Sequence, residues 1–305
     1  MTHFAMGIDI GGTNTKLGFV RPNGILIAST QFKTESEKGI DSFTEKLFTT
    51  FQNLLNEHAL LAEQLIGIGI GAPDANSKTG MIENPNNLKW GNINIIQAIQ
   101  KYFTAPIFLE NDANISAIGE GLWGVAKGKK NYIVITLGTG VGTGIVINGL
   151  PYSGTSGLGG EGGHVLVVPE GRVCSCGKRG HLEAYASVTG IKKTIFEKTG
   201  QPNMSFRIVY DLFENHDKDI YPIIDEAALL LARGMSSMAA LLSPDLFVIS
   251  GGGANLGEHF IDLIRKYFKE EVYPAFAKDI AIELSQISTK DGAILGAASI
   301  VFQNF

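Results

Sequence analysis

The chain has 305 residues, a formal net charge of -5, 44% hydrophobic and 18% charged residues, a composition typical of a globular protein of two domains with a substantial core. The negative balance excludes nucleic-acid binding through a broad basic surface. The sequence shows neither an apolar run long enough to span a bilayer nor a signal-peptide pattern, so we expect a cytoplasmic protein with no membrane partner.

Hydrophobic periodicity predicts an α/β chain in which one order of elements occurs twice. The first part predicts strands at 4–10, 15–20, 25–32, 66–70 and 107–109, with helices at about 40–55 and 93–103. The second part predicts strands at 132–137, 145–147 and 246–249, with helices at 225–242 and 256–270. The hairpins at 6–19 and 132–147 look like one motif used twice, which predicts two α/β domains that face each other across a cleft.

The domain boundaries follow from this repeat. We expect an N-terminal domain of residues 1–114 plus 292–305, because the tail at 292–301 has a small, apolar helical face that can return to the first domain. Residues 115–291 then form a larger C-terminal domain.

Three glycine-rich loops follow apolar strands, at residues 9–15, 137–144 and 250–255. Glycine often does no more than make a turn, but it also lets backbone amides converge on an anion. Three such loops, each with Thr or Asn beside the glycines, favour nucleotide binding. The chain has no G-x-x-x-x-G-K-[ST] loop, and Gly67 to Ala72 runs into Pro73, so we interpret that run as a strand and not as a dinucleotide fingerprint.

Two aspartates stand where chemistry could occur. Asp9 ends a predicted strand before Gly11, where a carboxylate could hold Mg²⁺ beside nucleotide phosphates or could simply cap the turn. Asp112 stands at a predicted helix start. A carboxylate fixed there can also accept a proton from a substrate hydroxyl, and we predict that catalytic role for Asp112.

A cluster of four potential metal ligands lies between residues 164 and 181, comprising His164, Cys174, Cys176 and His181. Two nitrogens and two thiolates suit tetrahedral Zn²⁺, and the two cysteines are too close in sequence for an ordinary disulfide. Since no ligand position is left for a catalytic water, we predict structural zinc that fixes His164 and Glu183 for substrate binding.

These motifs resemble the ROK family of sugar kinases, part of the actin-like and hexokinase-like ATPase superfamily. The resemblance spans nearly the whole chain and is carried by residues 9–13, 110–113, 137–142, 160–164, 174–183 and 250–253. It implies two RNase H-like domains, Mg²⁺ and ATP as co-substrate, and a homodimer or homotetramer. One position departs from the family pattern, since His181 stands where the family usually has a third cysteine; imidazole is also an acceptable zinc ligand.

The resemblance also implies the roles of individual residues. Asp112 would be the base for the 6-hydroxyl of an aldohexose, most simply glucose, as in a glucokinase. Sugar hydroxyls would be bound by Asn111, Asp112, Glu161, His164 and Glu183. The phosphates would lie against Gly11, Gly12, Thr13, Gly138 and Thr139, with Asp9 on the metal and Gly252 and Gly253 against the adenosine.

Other functions stay open at this point. The loop at 84–90 resembles the family's substrate loop but does not distinguish glucose from N-acetylmannosamine, N-acetylglucosamine, mannose or fructose. Sugar-responsive repressors of the family carry an N-terminal helix-turn-helix domain, whereas here the first predicted strand begins near Met1, so we expect a kinase. A sugar-binding regulator without turnover is the less favoured alternative, because Asp9 and Asp112 are both present.

Overall fold

The computed structural model describes residues 3–83, 85, 87–202, 204–287 and 291–304. Asn84 and Asn86 of the predicted substrate loop lie outside these residues. Within the described ranges, every helix is too short or too polar to cross a membrane.

The chain contains both strands and helices in each half, as predicted for an α/β protein. The strands are β1 Phe4–Ile10, β2 Asn14–Val20, β3 Leu26–Lys33, β4 Leu65–Ala72, β5 Ala75–Asn76, β6 Met81–Ile82, β7 Ile93–Asn94, β8 Ile107–Asn111, β9 Tyr132–Leu137, β10 Val141–Ile147, β11 Leu150–Pro151, β12 Leu246–Ser250 and β13 Ala281–Leu284. The helices are α1 Ile40–Glu57, α2 Ile95–Ile99, α3 Asp112–Trp123, α4 Glu183–Ala186, α5 Val188–Thr199, α6 Phe206–Glu214, α7 Tyr221–Leu242, α8 Gly257–Glu271 and α9 Gly292–Gln303.

The chain divides into two compact units. The first contains Met1–Lys127, Ser153–Leu158 and Ile287–Phe305, and the second contains Gly128–Tyr152 and Gly159–Gln286. The predicted boundary after residue 114 falls inside α3, which is one continuous helix and belongs entirely to the first unit.

The two units repeat one sheet topology. The strand order is β3-β2-β1-β4-β8 in the first sheet and β11-β10-β9-β12-β13 in the second. In each sheet an antiparallel hairpin, β1–β2 or β9–β10, is followed by two parallel strands. Each hairpin turns through three residues, 11–13 and 138–140. The predicted duplication of the hairpin is therefore confirmed.

The core of the first unit depends on close backbone approach. Helix α1 buries Phe43, Leu47 and Phe51, which recur at helical spacing, against the first sheet. On the other face, α9 packs so tightly that a Cβ at Gly69 would overlap the carbonyl oxygen of Ala297. The glycines of β4 thus allow α9 to pack directly against the first sheet.

Two of the element boundaries that differ from the sequence prediction have a direct structural reason. Strand β10 begins at Val141 and not near residue 145, because Gly142 pairs with Thr136 inside the sheet, not in a turn. Helix α2 begins only at Ile95, because the side chain of Asn94 accepts a hydrogen bond from Gln97 N at 2.9 Å and caps the helix there.

Candidate active site and metal centre

The predicted carboxylates of the first unit lie at one edge of its sheet. Asp9 pairs with Gly71 across β1 and β4, and Gly71 pairs with Glu110 across β4 and β8. These three strands are parallel, so the ends of β1 and β8 lie at the same edge, two strand spacings or about 10 Å apart. Ligands of open α/β sheets bind outside such carboxyl ends.

Asp9 is a half-buried carboxyl at the end of β1. Burial raises the pKa of this group, and the charge of Lys16, its cross-strand partner, acts in the opposite direction. A carboxylate that loses hydration in this way gains most from a cation placed against it, which fits the predicted magnesium role.

Asp112 is the first residue of α3 and is exposed. The side chain of Asn111 caps the helix by accepting a hydrogen bond from Ala113 N at 2.9 Å. The buried carboxylate of Glu110 accepts hydrogen bonds from Asn111 N at 2.9 Å and from Asn114 Nδ2 at 3.0 Å. This network fixes the strand-to-helix turn, and the helix N-terminus stabilises the negative charge of Asp112.

The first glycine turn is held by Thr34. Its hydroxyl donates a 2.6 Å hydrogen bond to the carbonyl of Gly11, and its amide donates a 3.0 Å bond to the carbonyl of Thr13. A Cβ at Gly12 would lie 2.8 Å from the Cβ of Asn87, which belongs to the predicted substrate loop. Glycine is therefore required where the turn meets that loop.

The second and third glycine loops meet in the second unit. They follow β9 and β12, which are parallel neighbours that pair Thr136 with Ser250. Gly251 has a φ of 82°, and a Cβ at Gly253 would lie 2.6 Å from the Cβ of Leu137. By contrast, a Cβ at Gly138 would meet nothing within 4 Å. Packing thus explains Gly251 and Gly253 but not Gly138.

Thr143 of β10 organises the loop that carries Glu161 and His164. Its hydroxyl donates to the carbonyl of Gly160 and accepts a 2.9 Å hydrogen bond from Gly162 N. In the short 3-10 turn at 162–164, His164 Nε2 lies 3.8 Å from a carboxylate oxygen of Glu161. The two predicted sugar ligands of this loop therefore lie side by side.

The four predicted metal ligands converge. The ligand atoms of His164, Cys174, Cys176 and His181 all lie within 4.8 Å of one another. Cys174 Sγ is 3.6 Å from His164 Nδ1, and Cys176 Sγ is 3.2 Å from His181 Nδ1. Neighbouring ligands in a tetrahedral zinc site lie roughly 3.3–3.8 Å apart, given metal–ligand bonds of about 2.0–2.3 Å. The donor set fits Zn²⁺, and the two Sγ–Nδ1 distances lie close to that spacing.

Glu183 is held between this cluster and the second glycine loop. Its Oε1 accepts a 2.5 Å hydrogen bond from Ser175 Oγ, and its Oε2 accepts a 3.2 Å bond from Val141 N. A Cβ at Gly140 would overlap the same carboxylate. Sequence analysis predicted the role of Glu183 but missed Ser175, which lies between the two cysteines.

Arg172 is a second residue that sequence analysis missed. Its guanidinium donates to the carbonyl of Ala184 at 2.7 Å, to Thr194 Oγ1 at 3.1 Å and to Glu197 at 2.7 Å. The side chain also lies over the ring of Tyr185, 5.1 Å from its centroid. Arg172 therefore joins the metal-binding loop to α4 and α5. No sequence signal marked it, because a single Arg in a loop is usually a surface residue.

Comparison with known proteins identifies the family to which the chain belongs. The ROK family model matches residues 5–304. The chain is 31% identical over 98% of its length to a glucokinase of Halalkalibacterium halodurans, covering 94% of that protein. It is 32% identical over 79% of its length to the xylose repressor of Bacillus spizizenii, covering 62% of that protein.

A solved structure supports the same assignment. The ROK family glucokinase of Streptomyces griseus, in complex with glucose and AMPPNP, superposes with a TM-score of 0.83 at 25% identity over 98% of this chain and 99% of that one. The predicted fold class, α/β with RNase H-like domains of the actin-like ATPase type, is confirmed.

Proposed function

The chain belongs to the ROK family, and from that premise we propose that it is an ATP-dependent hexose kinase that phosphorylates the 6-hydroxyl of glucose. The observation that carries the proposal is the shared sheet edge of the first unit, where Asp9 is the next-to-last residue of β1 and Asp112 follows β8. One carboxylate suits a metal–phosphate group and the other suits a hydroxyl proton.

In the proposed reaction, Asp112 accepts the proton of the sugar 6-hydroxyl as that oxygen attacks the γ-phosphorus of ATP. A bond forms between the sugar oxygen and phosphorus, the bond to the β-γ bridging oxygen breaks, and ADP leaves. Asp112 has a fixed backbone because Asn111 caps its helix. General-base catalysis of this kind contributes about 10²–10⁴-fold to rate.

The hexose is proposed to bind through Asn111, Asp112, Glu161, His164 and Glu183. Glu161, His164 and Glu183 offer several charged or polar groups for hydroxyls, and such hydrogen bonds to charged groups are stronger than neutral ones. Ser175 and Thr143 keep these groups in place through the bonds described above. A polyol suits this array, since each hydroxyl both donates and accepts.

Nucleotide and metals are assigned by the same reasoning. The phosphates would lie against the turns at Gly11–Thr13 and Gly138–Thr139, with the adenosine against Gly252 and Gly253. Mg²⁺, held near Asp9, would neutralise charge on the phosphates. Zn²⁺ at His164, Cys174, Cys176 and His181 would be structural, since all four protein ligands close a tetrahedral shell and leave Nε2 of His164 for the substrate.

The sugars that the protein phosphorylates distinguish a glucose kinase from the alternative functions. A kinase for N-acetylmannosamine, N-acetylglucosamine or fructose would use the same catalytic groups, and the similarity to a xylose repressor makes a regulator without turnover the second candidate. We also propose a cytoplasmic homo-oligomer, dimer or tetramer, as in the family.

A coupled ADP-release assay over a panel of hexoses, xylose and 6-deoxyglucose decides between these candidates. We expect the highest kcat/KM with glucose, and binding of 6-deoxyglucose without turnover. Sugar binding with no ADP release for any member of the panel would identify a regulator instead.

A further inference from the structure

A six-residue segment of the first unit interrupts the sequence of the second unit. The chain leaves the second unit after Tyr152, runs through the first unit as Ser153–Leu158, and re-enters the second unit at Gly159. We call residues 153–158 the strap. It ends three residues before Glu161, one of the proposed sugar ligands.

The strap is held through its backbone by one small hairpin, β5–β6. The ammonium group of Lys78 donates to the carbonyl of Gly154 and, at 3.1 Å, to the carbonyl of Thr155. The amide group of Asn76 donates a 3.4 Å hydrogen bond to the carbonyl of Ser156. Three consecutive carbonyls are therefore bound by two side chains, which fixes the path of the strap whatever its side chains are.

Asn76 is oriented before it meets the strap. Its side chain is buried, its Oδ1 accepts a 3.1 Å hydrogen bond from Lys78 N, and its Nδ2 also donates to Glu83 at 3.3 Å. Gly157 has a φ of 84°, and a Cβ there would lie 2.8 Å from Asn76 Oδ1. The buried asparagine has its side-chain amide hydrogen-bonded, and the glycine packs directly against it. This is a specific contact and not an incidental surface contact.

The residues on either side of the strap are hydrogen-bonded to β10. Tyr152 N donates a 2.8 Å hydrogen bond to the carbonyl of Ile145, and the hydroxyl of Thr143 donates to the carbonyl of Gly160. The segments flanking the strap are thus bound to one strand, and its middle is bound by Asn76 and Lys78. The loop that follows it carries Glu161.

We propose that Asn76 and Lys78 are positioning residues for the hexose, acting through the strap on Glu161; this rests on the proposed function. Release of the strap would loosen the contact of Glu161 with the sugar in the ground state and the transition state alike. Such a loss of uniform binding raises KM for hexose with little change in kcat. The KM for ATP should not change, because the strap carries none of the proposed phosphate-binding residues.

The test uses the full-length protein with Lys78→Met, Lys78→Arg and a matched control, Lys101→Met, which removes an exposed 2.8 Å ion pair with Asp41 in the same unit. Hydrogen exchange of peptides covering 153–164, calorimetric binding of glucose and the KM values for glucose and ATP are measured for each. In Lys78→Met we expect faster exchange in 153–164 and about three- to tenfold weaker glucose binding. We expect wild-type behaviour in the control and recovery in Lys78→Arg.

Unchanged exchange in 153–164 in Lys78→Met, or faster exchange with unchanged glucose affinity, would overturn the proposal. An equal loss of affinity for glucose and ATP, or a loss that follows a lower melting temperature, would also overturn it, since either indicates general destabilisation. If the wild-type protein binds no hexose, the proposed function fails before any variant is compared, and the hexose role of the strap fails with it.

Discussion

The hydroxyl of Ser175 donates a 2.5 Å hydrogen bond to Oε1 of Glu183. Ser175 lies between Cys174 and Cys176, so this bond joins the turn that carries two proposed metal ligands directly to a proposed sugar ligand. The other carboxylate oxygen is held by Val141 N in the strand that follows the second glycine turn. Glu183 is thus oriented from two sides, and its orientation depends on the fold of the turn.

We predict that Ser175→Ala raises the KM for glucose about three- to tenfold, because one hydrogen bond to a charged group contributes roughly 1.5–3 kcal/mol at most and Val141 N still holds the carboxylate. Ser175→Thr keeps the hydroxyl and should recover most of the affinity. Steady-state kinetics at saturating ATP measures the effect. Wild-type KM in Ser175→Ala would show that this bond does not orient Glu183 for substrate.

For the metal centre, we expect one zinc per chain by elemental analysis, and loss of both zinc and activity in Cys174→Ser. His181→Cys restores the family's usual ligand and should keep both, because thiolate and imidazole each suit tetrahedral zinc. A correctly folded and fully active preparation without zinc would contradict the structural role assigned to the ion.

The pH dependence of stability should report the burial of Asp9. Burial raises the pKa of this carboxyl above its ordinary value of 3.8, so its ionised form is disfavoured in the folded state. The stability that this group contributes below pH 3.8 is therefore lost as the pH rises through the raised pKa.

Asp9→Asn removes that charge, and we therefore expect it to raise the melting temperature at pH 7 by about 2–4 °C while it lowers turnover with ATP and Mg²⁺. The gain should shrink as the pH falls and the wild-type carboxyl becomes protonated. Thermal melts from pH 4 to 8 measure this, with the exposed Asp41→Asn as control. A lower melting temperature at pH 7 in Asp9→Asn would contradict the assignment.

Substitutions at two glycines should distinguish a role in packing from a role in ligand binding. Gly69→Ala would place a Cβ against the carbonyl of Ala297, so we expect a loss of about 1–3 kcal/mol in the free energy of unfolding. Gly138 has open space around its Cβ position, so Gly138→Ala should fold with normal stability but bind ATP more weakly. Denaturant unfolding and the KM for ATP measure the two effects. Normal ATP affinity in Gly138→Ala would remove that glycine from the phosphate site.

Local patterns in the sequence predicted most of the fold. Strands β1, β9 and β12 are apolar runs that end at glycine loops, and the repeated hairpin follows from similar spacing around two three-residue turns. The start of β10 was missed because Gly142 and Gly144 carry no β-propensity, although cross-strand pairing places them in the sheet.

Long-range polar contacts in the site were beyond sequence reasoning. The bonds of Ser175 to Glu183, of Thr143 to Gly162 and of Lys78 to the strap join residues that are 8, 19 and 77 positions apart. Nothing in the local sequence marks such partners, because they depend on how loops cross in the folded chain. The clustering of the four proposed metal ligands was predictable, since they fall in eighteen consecutive positions with chemically matched side chains.

Phosphorus NMR of the product formed from glucose and ATP, with wild-type protein and with Asp112→Asn, tests the central claim most directly. We predict glucose 6-phosphate from the wild-type protein, and formation at least about 100-fold slower in Asp112→Asn. Calorimetry should still detect glucose binding to the variant, because a general base contributes to the transition state more than to ground-state binding. A product phosphorylated at carbon 1, or near-normal turnover in Asp112→Asn, would contradict the assignment of Asp112 as the base for the 6-hydroxyl.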